Sequence, residues 1–80
     1  MAKRYLREEW TAFIVGRMHL LGVSRAELAR RCGYSVPYIS TVLNCKKKFE
    51  SEAAYRKTRN YILKTMEKIE KEIMEGRYGN

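Results

Sequence analysis

The chain has 80 residues, which is enough for one domain with a small hydrophobic core. Seventeen lysines and arginines against nine aspartates and glutamates give a net charge of +8, a surplus that favours polyanions, above all nucleic acid, as partners. An anionic membrane surface is the rival partner, but no apolar run approaches the roughly 20 residues that span a bilayer, and no signal peptide is visible at the N-terminus.

An amphipathic first helix is predicted from about residue 5 to residue 21. Apolar residues recur there at spacings of three and four and define one face of the helix: Leu6, Trp10, Phe13, Ile14, Met18 and Leu21. Gly22 is expected to end this helix. Because aromatic residues on the apolar face of a helix are mostly core residues rather than base-stacking platforms, Trp10 and Phe13 are expected to supply the bulk of the core.

The next segment is typical of two short helices joined by a tight turn. Ser24 and Glu27 have the spacing of a capping box at the start of the first of these helices. Gly33 has the position of a left-handed residue that ends it. Ser35 can cap the second helix, and Pro37 falls in its first turn, where the missing N–H costs no hydrogen bond. The sequence therefore predicts a helix-turn-helix.

The spacing of small and apolar residues in this segment predicts that its two helices cross closely. Ala29 precedes Gly33 by four residues, where a small side chain lets two helices approach, and Ile39 follows Gly33 by six. This pattern resembles the helix-turn-helix of the phage repressor and Cro-like family, also called the xenobiotic-response-element family. The family's other apolar positions are occupied by Leu28, Cys32 and Val42. The match covers the motif, residues 24–44, and by extension residues 1–50.

The resemblance implies a fold, a function and a partner. The fold is all-α: a small lambda-repressor-like domain over residues 1–50, in which the first helix packs across the back of the motif pair. The function is sequence-specific binding of double-stranded DNA by a transcription regulator, commonly a homodimeric repressor of a phage or mobile-element operon. Two recognition helices related by a two-fold axis would enter successive major grooves about 34 Å apart and so read an inverted repeat.

The resemblance also implies which side chains contact DNA. The positions that contact base edges in the major groove fall on Val36, Pro37, Ser40, Thr41 and Asn44. Arg25, at the start of the first motif helix, is placed to contact a phosphate or to support the base contacts, and Ser35 and Tyr38 are further candidates for contact with the sugar-phosphate backbone. Val36 and Pro37 stand where many relatives carry a long polar residue, so the first turn offers an apolar surface to thymine methyl groups. Two alternatives stay open, since Tyr38 can instead cover the edge of the core and Asn44 can instead cap the helix.

Three lysines, Lys46, Lys47 and Lys48, directly follow the second motif helix. A lysine run in a generic protein is a solvated loop. A basic segment just after a helix that enters the major groove is, however, well placed for phosphates of the flanking backbone, where charge adds affinity through counterion release and reads no sequence. Phe49 is then expected to return the chain to the core.

One long helix is predicted over residues 51–76, because neither proline nor glycine interrupts the chain before Gly76. A heptad-like seam runs along it: Tyr55, Arg59, Ile62, Met66, Ile69 and Ile73. The second half of the helix has little left in this chain to cover it, so it is predicted to dimerise through Ile62, Met66, Ile69 and Ile73. The alternative is a helix that lies across its own domain. Residues 77–80 are expected to fray.

Enzyme activity is not expected from this sequence. The one histidine, His19, has no serine or cysteine partner pattern. Cys32, Cys45 and His19 lack zinc-ligand spacing, and there is no phosphate-cradling glycine loop. No cofactor, metal or small-molecule ligand is therefore expected, and two cysteines without an extracellular disulfide pattern indicate a reducing, cytoplasmic setting. Two alternatives to a regulator remain: a protein-binding adaptor built on the same helices, and a nonspecific DNA binder.

Overall fold

A computed structural model describes residues 9–78, which form a small all-α domain with a long C-terminal helix. Within this range the chain has four α-helices: α1 (Glu9–Leu21), α2 (Arg25–Cys32), α3 (Val36–Leu43) and α4 (Glu52–Met74). The predicted helices are confirmed wherever they fall within the described residues. The predicted extension of the first helix over residues 5–8 lies outside them.

The local signals that delimit α2 and α3 act as predicted. Ser24 Oγ accepts a hydrogen bond from the Glu27 backbone N–H at 3.1 Å. The Glu27 carboxylate pairs with Arg30 on the next turn. Of the two hydrogen bonds of a capping box, the helix therefore uses the one that Ser24 accepts. Gly33 ends α2 with φ +80°, and Ser35 Oγ accepts from the Tyr38 N–H at 3.2 Å to begin α3. Two residues therefore suffice to turn the chain between Gly33 and α3.

The left-handed backbone at Gly33 gives a direct stability prediction. A Cβ at Gly33 would meet nothing within 4 Å, so a substitution there is opposed by the backbone angle and not by a clash. We expect Gly33→Ala to lower the free energy of unfolding by about 1–2 kcal/mol. Gly16, inside α1 and equally open, is the matched control, and Gly16→Ala should raise it by about 0.5–1 kcal/mol. Urea unfolding of both variants measures the difference, and equal effects would contradict the assignment.

One hydrophobic core joins all four helices, and α1 and α2 each pack against both α3 and α4. Its buried apolar residues come from every helix and from the loop residue Val23: Ile14, Met18, Val23, Leu28, Ala29, Cys32, Ile39, Val42, Leu43, Ile62, Met66 and Ile69. Ala29 is almost fully buried, as the prediction of a close helix crossing requires. Burial raises the pKa of the Cys32 thiol, so this cysteine is a neutral core residue.

The predicted dimer seam on α4 is wrong. Ile62 and Ile69 are fully buried within this single chain, and Met66 is buried beside them. Ile73 is half-buried and packs against the same core. Periodicity identifies an apolar face but not the surface that covers it; here α1 and α2 cover it. Residues 51–76 are therefore part of the domain and not a separate dimerisation helix.

Two further expectations need correction. Phe13 is 58% exposed and does not fill the core, whereas Trp10 is half-buried and its indole Nε1 donates to the Tyr55 hydroxyl at 2.8 Å. The predicted fraying of the C-terminal tail from residue 77 is not observed at residues 77 and 78. Instead, the Arg77 N–H donates to the Glu72 carbonyl at 2.8 Å and Tyr78 packs against the core. Residues 79–80 lie outside the described range.

Polar contacts fasten α4 to α1 and α2. The Arg31 guanidinium makes two hydrogen bonds to the Glu72 carboxylate, at 2.6 and 2.8 Å, and thereby lowers the pKa of Glu72. Arg17 of α1 forms a second ion pair with Glu70. The Tyr61 hydroxyl donates to the Cys32 carbonyl at 3.1 Å, which satisfies a backbone acceptor in the last turn of α2.

Candidate nucleic-acid interface

The outward face of α3 carries the five residues to which base contact is assigned by resemblance. Ile39, Val42 and Leu43 turn inward and are buried. The remaining positions of the helix and its C-cap stay at the surface: Val36, Pro37 and Asn44 are exposed, and Ser40 and Thr41 are half-buried. The helix periodicity therefore gathers the predicted base-contacting side chains on one face.

Arg25 joins this face from the neighbouring helix. Its guanidinium Nη2 lies 3.5 Å from Asn44 Oδ1, so the first residue of α2 meets the end of α3. Asn44 is also the C-cap of α3, where its backbone N–H donates to the Ser40 carbonyl at 2.9 Å. The alternative role of Asn44 as a helix cap is therefore confirmed, and its amide side chain still lies at the surface beside Arg25.

Two hydroxyl groups on this surface are engaged in local hydrogen bonds that limit what they can offer to DNA. Thr41 Oγ1 donates to the Pro37 carbonyl at 2.9 Å, so its remaining capacity is as an acceptor, beside its methyl group. Ser35 Oγ accepts from Tyr38 as the N-cap and retains its proton for donation. A phosphate oxygen accepts such a donor, whereas Thr41 suits a base amino group or a thymine methyl.

Tyr38 lies at the boundary between the surface and the core. Its ring is tilted on that of Tyr34 with 4.7 Å between centroids, and it packs against the hydrophobic core while remaining half-buried. The alternative in which Tyr38 covers the edge of the core is therefore confirmed. Burial raises the pKa of the neighbouring Tyr34 hydroxyl, so that group stays protonated.

The three lysines after α3 are not equivalent. Lys46 and Lys48 are exposed, but Lys47 is half-buried, and its Nζ lies 5.6 Å from the ring centroids of both Tyr38 and Phe49. This cation–π arrangement already engages Lys47 within the chain. Phe49 stacks edge-on against Tyr55 at 5.5 Å, which confirms its predicted return to the core. Lys46 and Lys48 are therefore the two lysines of this run best placed for phosphates.

One feature of this surface had no signal in the sequence. Cys45 adopts a left-handed backbone with φ +62°, a conformation that favours glycine or asparagine. The Lys46 N–H then donates to the Thr41 carbonyl at 2.9 Å and closes the end of α3. The Cys45 sulfur lies 3.3 Å from Thr11 Oγ1, which connects the end of α3 to α1. This packing contact is between residues far apart in the sequence, so local propensity could not reveal it.

Comparison of the chain with protein-family models, with curated proteins and with solved structures finds no match. Within residues 9–78, no helix combines the length and the apolar character needed to cross a bilayer. Geometry and charge define this surface: an outward helix face of short side chains, with Arg25 and the exposed Lys46 and Lys48 at the C-terminal end of α3.

Proposed function

We propose that the chain is a sequence-specific, DNA-binding transcription regulator, not an enzyme, that acts in the cytoplasm as a homodimeric repressor and inserts α3 into the major groove. The observation that carries this proposal is the outward face of α3. It has a cap at each end, it presents short side chains that do not obstruct close approach to base edges, and the basic residues Arg25, Lys46 and Lys48 lie at its C-terminal end. A net charge of +8 supplies the attraction to the phosphate backbone.

Selection of bound sites from random duplex DNA at physiological salt tests this function. An enriched inverted repeat with half-sites about one helical turn apart is the expected result. Recovery of no motif, with binding that disappears as salt rises, would instead identify a nonspecific DNA binder. Absence of any duplex binding would point to the protein-adaptor alternative.

A second copy of this chain is proposed to pack on the outer face of α1. The inner face of α1 is buried through Ile14 and Met18. Its outer face is also apolar, with Phe13 and Leu20 exposed by 58% and 78%, and a helix that is apolar on both faces is normally covered on both. The Arg17 guanidinium lies over the Phe13 ring at 5.9 Å and is paired with Glu70, so this contact brings little unpaired charge between two chains of net charge +8.

The dimer has its own test in the variant Leu20→Glu. A carboxylate at the centre of an apolar contact loses its solvation, so we expect Leu20→Glu to be monomeric and to bind an inverted repeat more weakly than the unmodified chain. Met74→Glu is the matched control, because Met74 is equally exposed, at 79%, but lies on α4. Sedimentation velocity at micromolar concentrations distinguishes the outcomes. The proposed surface would be contradicted if the Leu20→Glu variant still sedimented as a dimer, or if the unmodified chain sedimented as a monomer.

A further inference from the structure

The outward face of α4 carries a row of lysines that the recognition surface does not include. Lys57, Lys64, Lys68 and Lys71 are all exposed, and their spacings of seven, four and three keep them on one side of the helix. The row is about 21 Å long at the α-helical rise, which corresponds to roughly six base pairs of duplex. We call these four residues the lysine row.

The lysines of the row form no ion pair with another described residue, although, after Arg31, the charge of Lys68 contributes to lowering the pKa of Glu72. Between residues that the structure describes, every side-chain ion pair uses an arginine. Two acidic residues of α4 form ion pairs with arginines of other helices: Glu70 with Arg17 of α1, and Glu72 with Arg31 of α2. No member of the row forms an ion pair or a side-chain hydrogen bond within residues 9–78. The acidic residue left on this side of α4 is Glu67.

A groove beside the row shows which chemistry is available there. Its lining comes from α2 and α4: Arg31, Tyr61, Lys64, Thr65, Glu67 and Lys68. The Tyr61 hydroxyl already donates to the Cys32 carbonyl, and Thr65 Oγ1 donates to the Tyr61 carbonyl at 2.9 Å. The donors left for a ligand are therefore chiefly the ammonium groups of Lys64 and Lys68. Such point charges suit phosphate oxygens and do not read base edges.

The lysine row lies on a different side of the molecule from the recognition face. α1 and α2 pack between α3 and α4, and the buried residues of α3 and α4 point into the same core. The two helices are connected through Tyr34, whose ring centroid lies 4.7 Å from that of Tyr38 on α3 and 5.9 Å from that of Tyr61 on α4. The lysines of the row are on the side of α4 opposite its buried residues, so we expect a duplex held by the outward face of α3 to leave them accessible.

We propose that the lysine row is a second, sequence-independent binding surface for the phosphate backbone of duplex DNA, so that one molecule contacts two duplex segments. An acidic protein fits less well, because lysine is depleted in the cores of protein interfaces. A membrane fits less well, because an amphipathic helix binds lipid through its apolar face, and that face of α4 is buried. The bridging of two duplexes depends on the proposed function, whereas the row itself binds DNA independently of it.

A two-duplex retention assay with the full chain tests this proposal. One duplex, carrying the selected site, is fixed to beads, and retention of a labelled duplex of unrelated sequence is measured as salt is varied. The unmodified chain should retain the labelled duplex. Lys64→Gln/Lys68→Gln should lose most of that retention at physiological salt, and the slope of log retention against log salt should become shallower by about 1.8, for two lost phosphate contacts. Binding of the selected site alone should change less than retention.

A charge-matched control separates the row from net charge. Arg56→Gln/Arg59→Gln removes two positive charges from the same helix but from another side of it, where Arg59 lies over the Tyr55 ring at 5.7 Å. This control should retain the labelled duplex. Equal loss in both double variants would overturn the proposal, as would unchanged retention in Lys64→Gln/Lys68→Gln. Loss of retention in the monomeric Leu20→Glu variant alone would assign bridging to two recognition faces of a dimer.

The failure of the proposed function is distinguishable from the failure of this inference. If no motif is selected, fluorescence anisotropy with one unrelated duplex still measures the contribution of the row. Weaker, less salt-dependent binding by Lys64→Gln/Lys68→Gln than by Arg56→Gln/Arg59→Gln supports the row without an operator. Binding of the chain to vesicles that contain anionic lipid tests the membrane alternative. Binding to them that depends on Lys64 and Lys68, without any dependence of DNA binding on the same lysines, would assign the surface to lipid headgroups.

Discussion

Ile69→Ala should lower the free energy of unfolding by about 2–5 kcal/mol, because it removes a fully buried side chain and leaves a cavity among α1, α2 and α4. A chain of this size has about 4–12 kcal/mol of stability in total, so the loss is a large fraction of it. Chemical denaturation followed by far-ultraviolet circular dichroism measures the change. The effect should not depend on protein concentration, since Ile69 is covered by its own chain.

Met74→Ala is the matched control for Ile69→Ala. Both residues are apolar and both lie in α4, but Met74 is exposed, so its replacement should change the free energy of unfolding by less than about 0.5 kcal/mol. A destabilisation by Ile69→Ala that disappears at high protein concentration would restore the dimer seam. A small effect at every concentration would contradict the packing of α4 described above.

Ser40→Ala/Thr41→Ala should weaken binding to the selected site by about fivefold to 150-fold, which corresponds to a loss of about 1–3 kcal/mol. These residues lie half-buried on the outward face of α3 and are not part of the hydrophobic core. The substitutions remove the Thr41 hydrogen bond to the Pro37 carbonyl, but alanine favours a helix more than serine or threonine does. The melting curve should therefore stay near that of the unmodified chain.

The specificity of this effect is measured with two further comparisons. Affinity for an unrelated duplex should be nearly unchanged, because the double variant keeps Arg25, Lys46 and Lys48, the residues proposed to contact phosphates. Thr41→Ser and Thr41→Val separate the two features of the side chain, since serine keeps the acceptor oxygen and valine keeps a methyl group. Unchanged affinity for the selected site in the double variant, with the fold intact, would remove these residues from the recognition surface.

The parts of the fold that could be predicted from the sequence depend on neighbouring residues. Ser24, Gly33 and Ser35 set the bounds of α2 and α3 through hydrogen bonds and backbone angles within a few residues, and those signals are readable along the chain. The sequence also predicts that one face of α3 is buried and the other exposed, because this too depends on residues close together in the chain. Its buried Ile39 and Val42 recur at helical spacing, which leaves the opposite positions at the surface.

The features of the fold that could not be predicted depend on contacts between residues that are distant in the sequence. The α4 seam has the same spacing whether it faces a second copy or the body of its own domain, so the pattern alone could not choose between them. Phe13 and Ile14 are adjacent apolar residues of α1, yet one is exposed and the other buried, because only the packed arrangement fixes the rotation of the helix. The left-handed Cys45 and the Lys47 contact with two rings likewise require neighbours brought together by folding.

The chain has a single tryptophan, and its position makes it an optical reporter of the segment that follows α3. The indole of Trp10 is hydrogen-bonded to Tyr55, the Tyr55 ring touches Phe49, and Phe49 lies beneath the ammonium group of Lys47. A rearrangement of the segment after α3 therefore changes the surroundings of the indole through only two intervening rings. Intrinsic fluorescence emission can follow that segment in the unlabelled protein, without a dye attached to either cysteine.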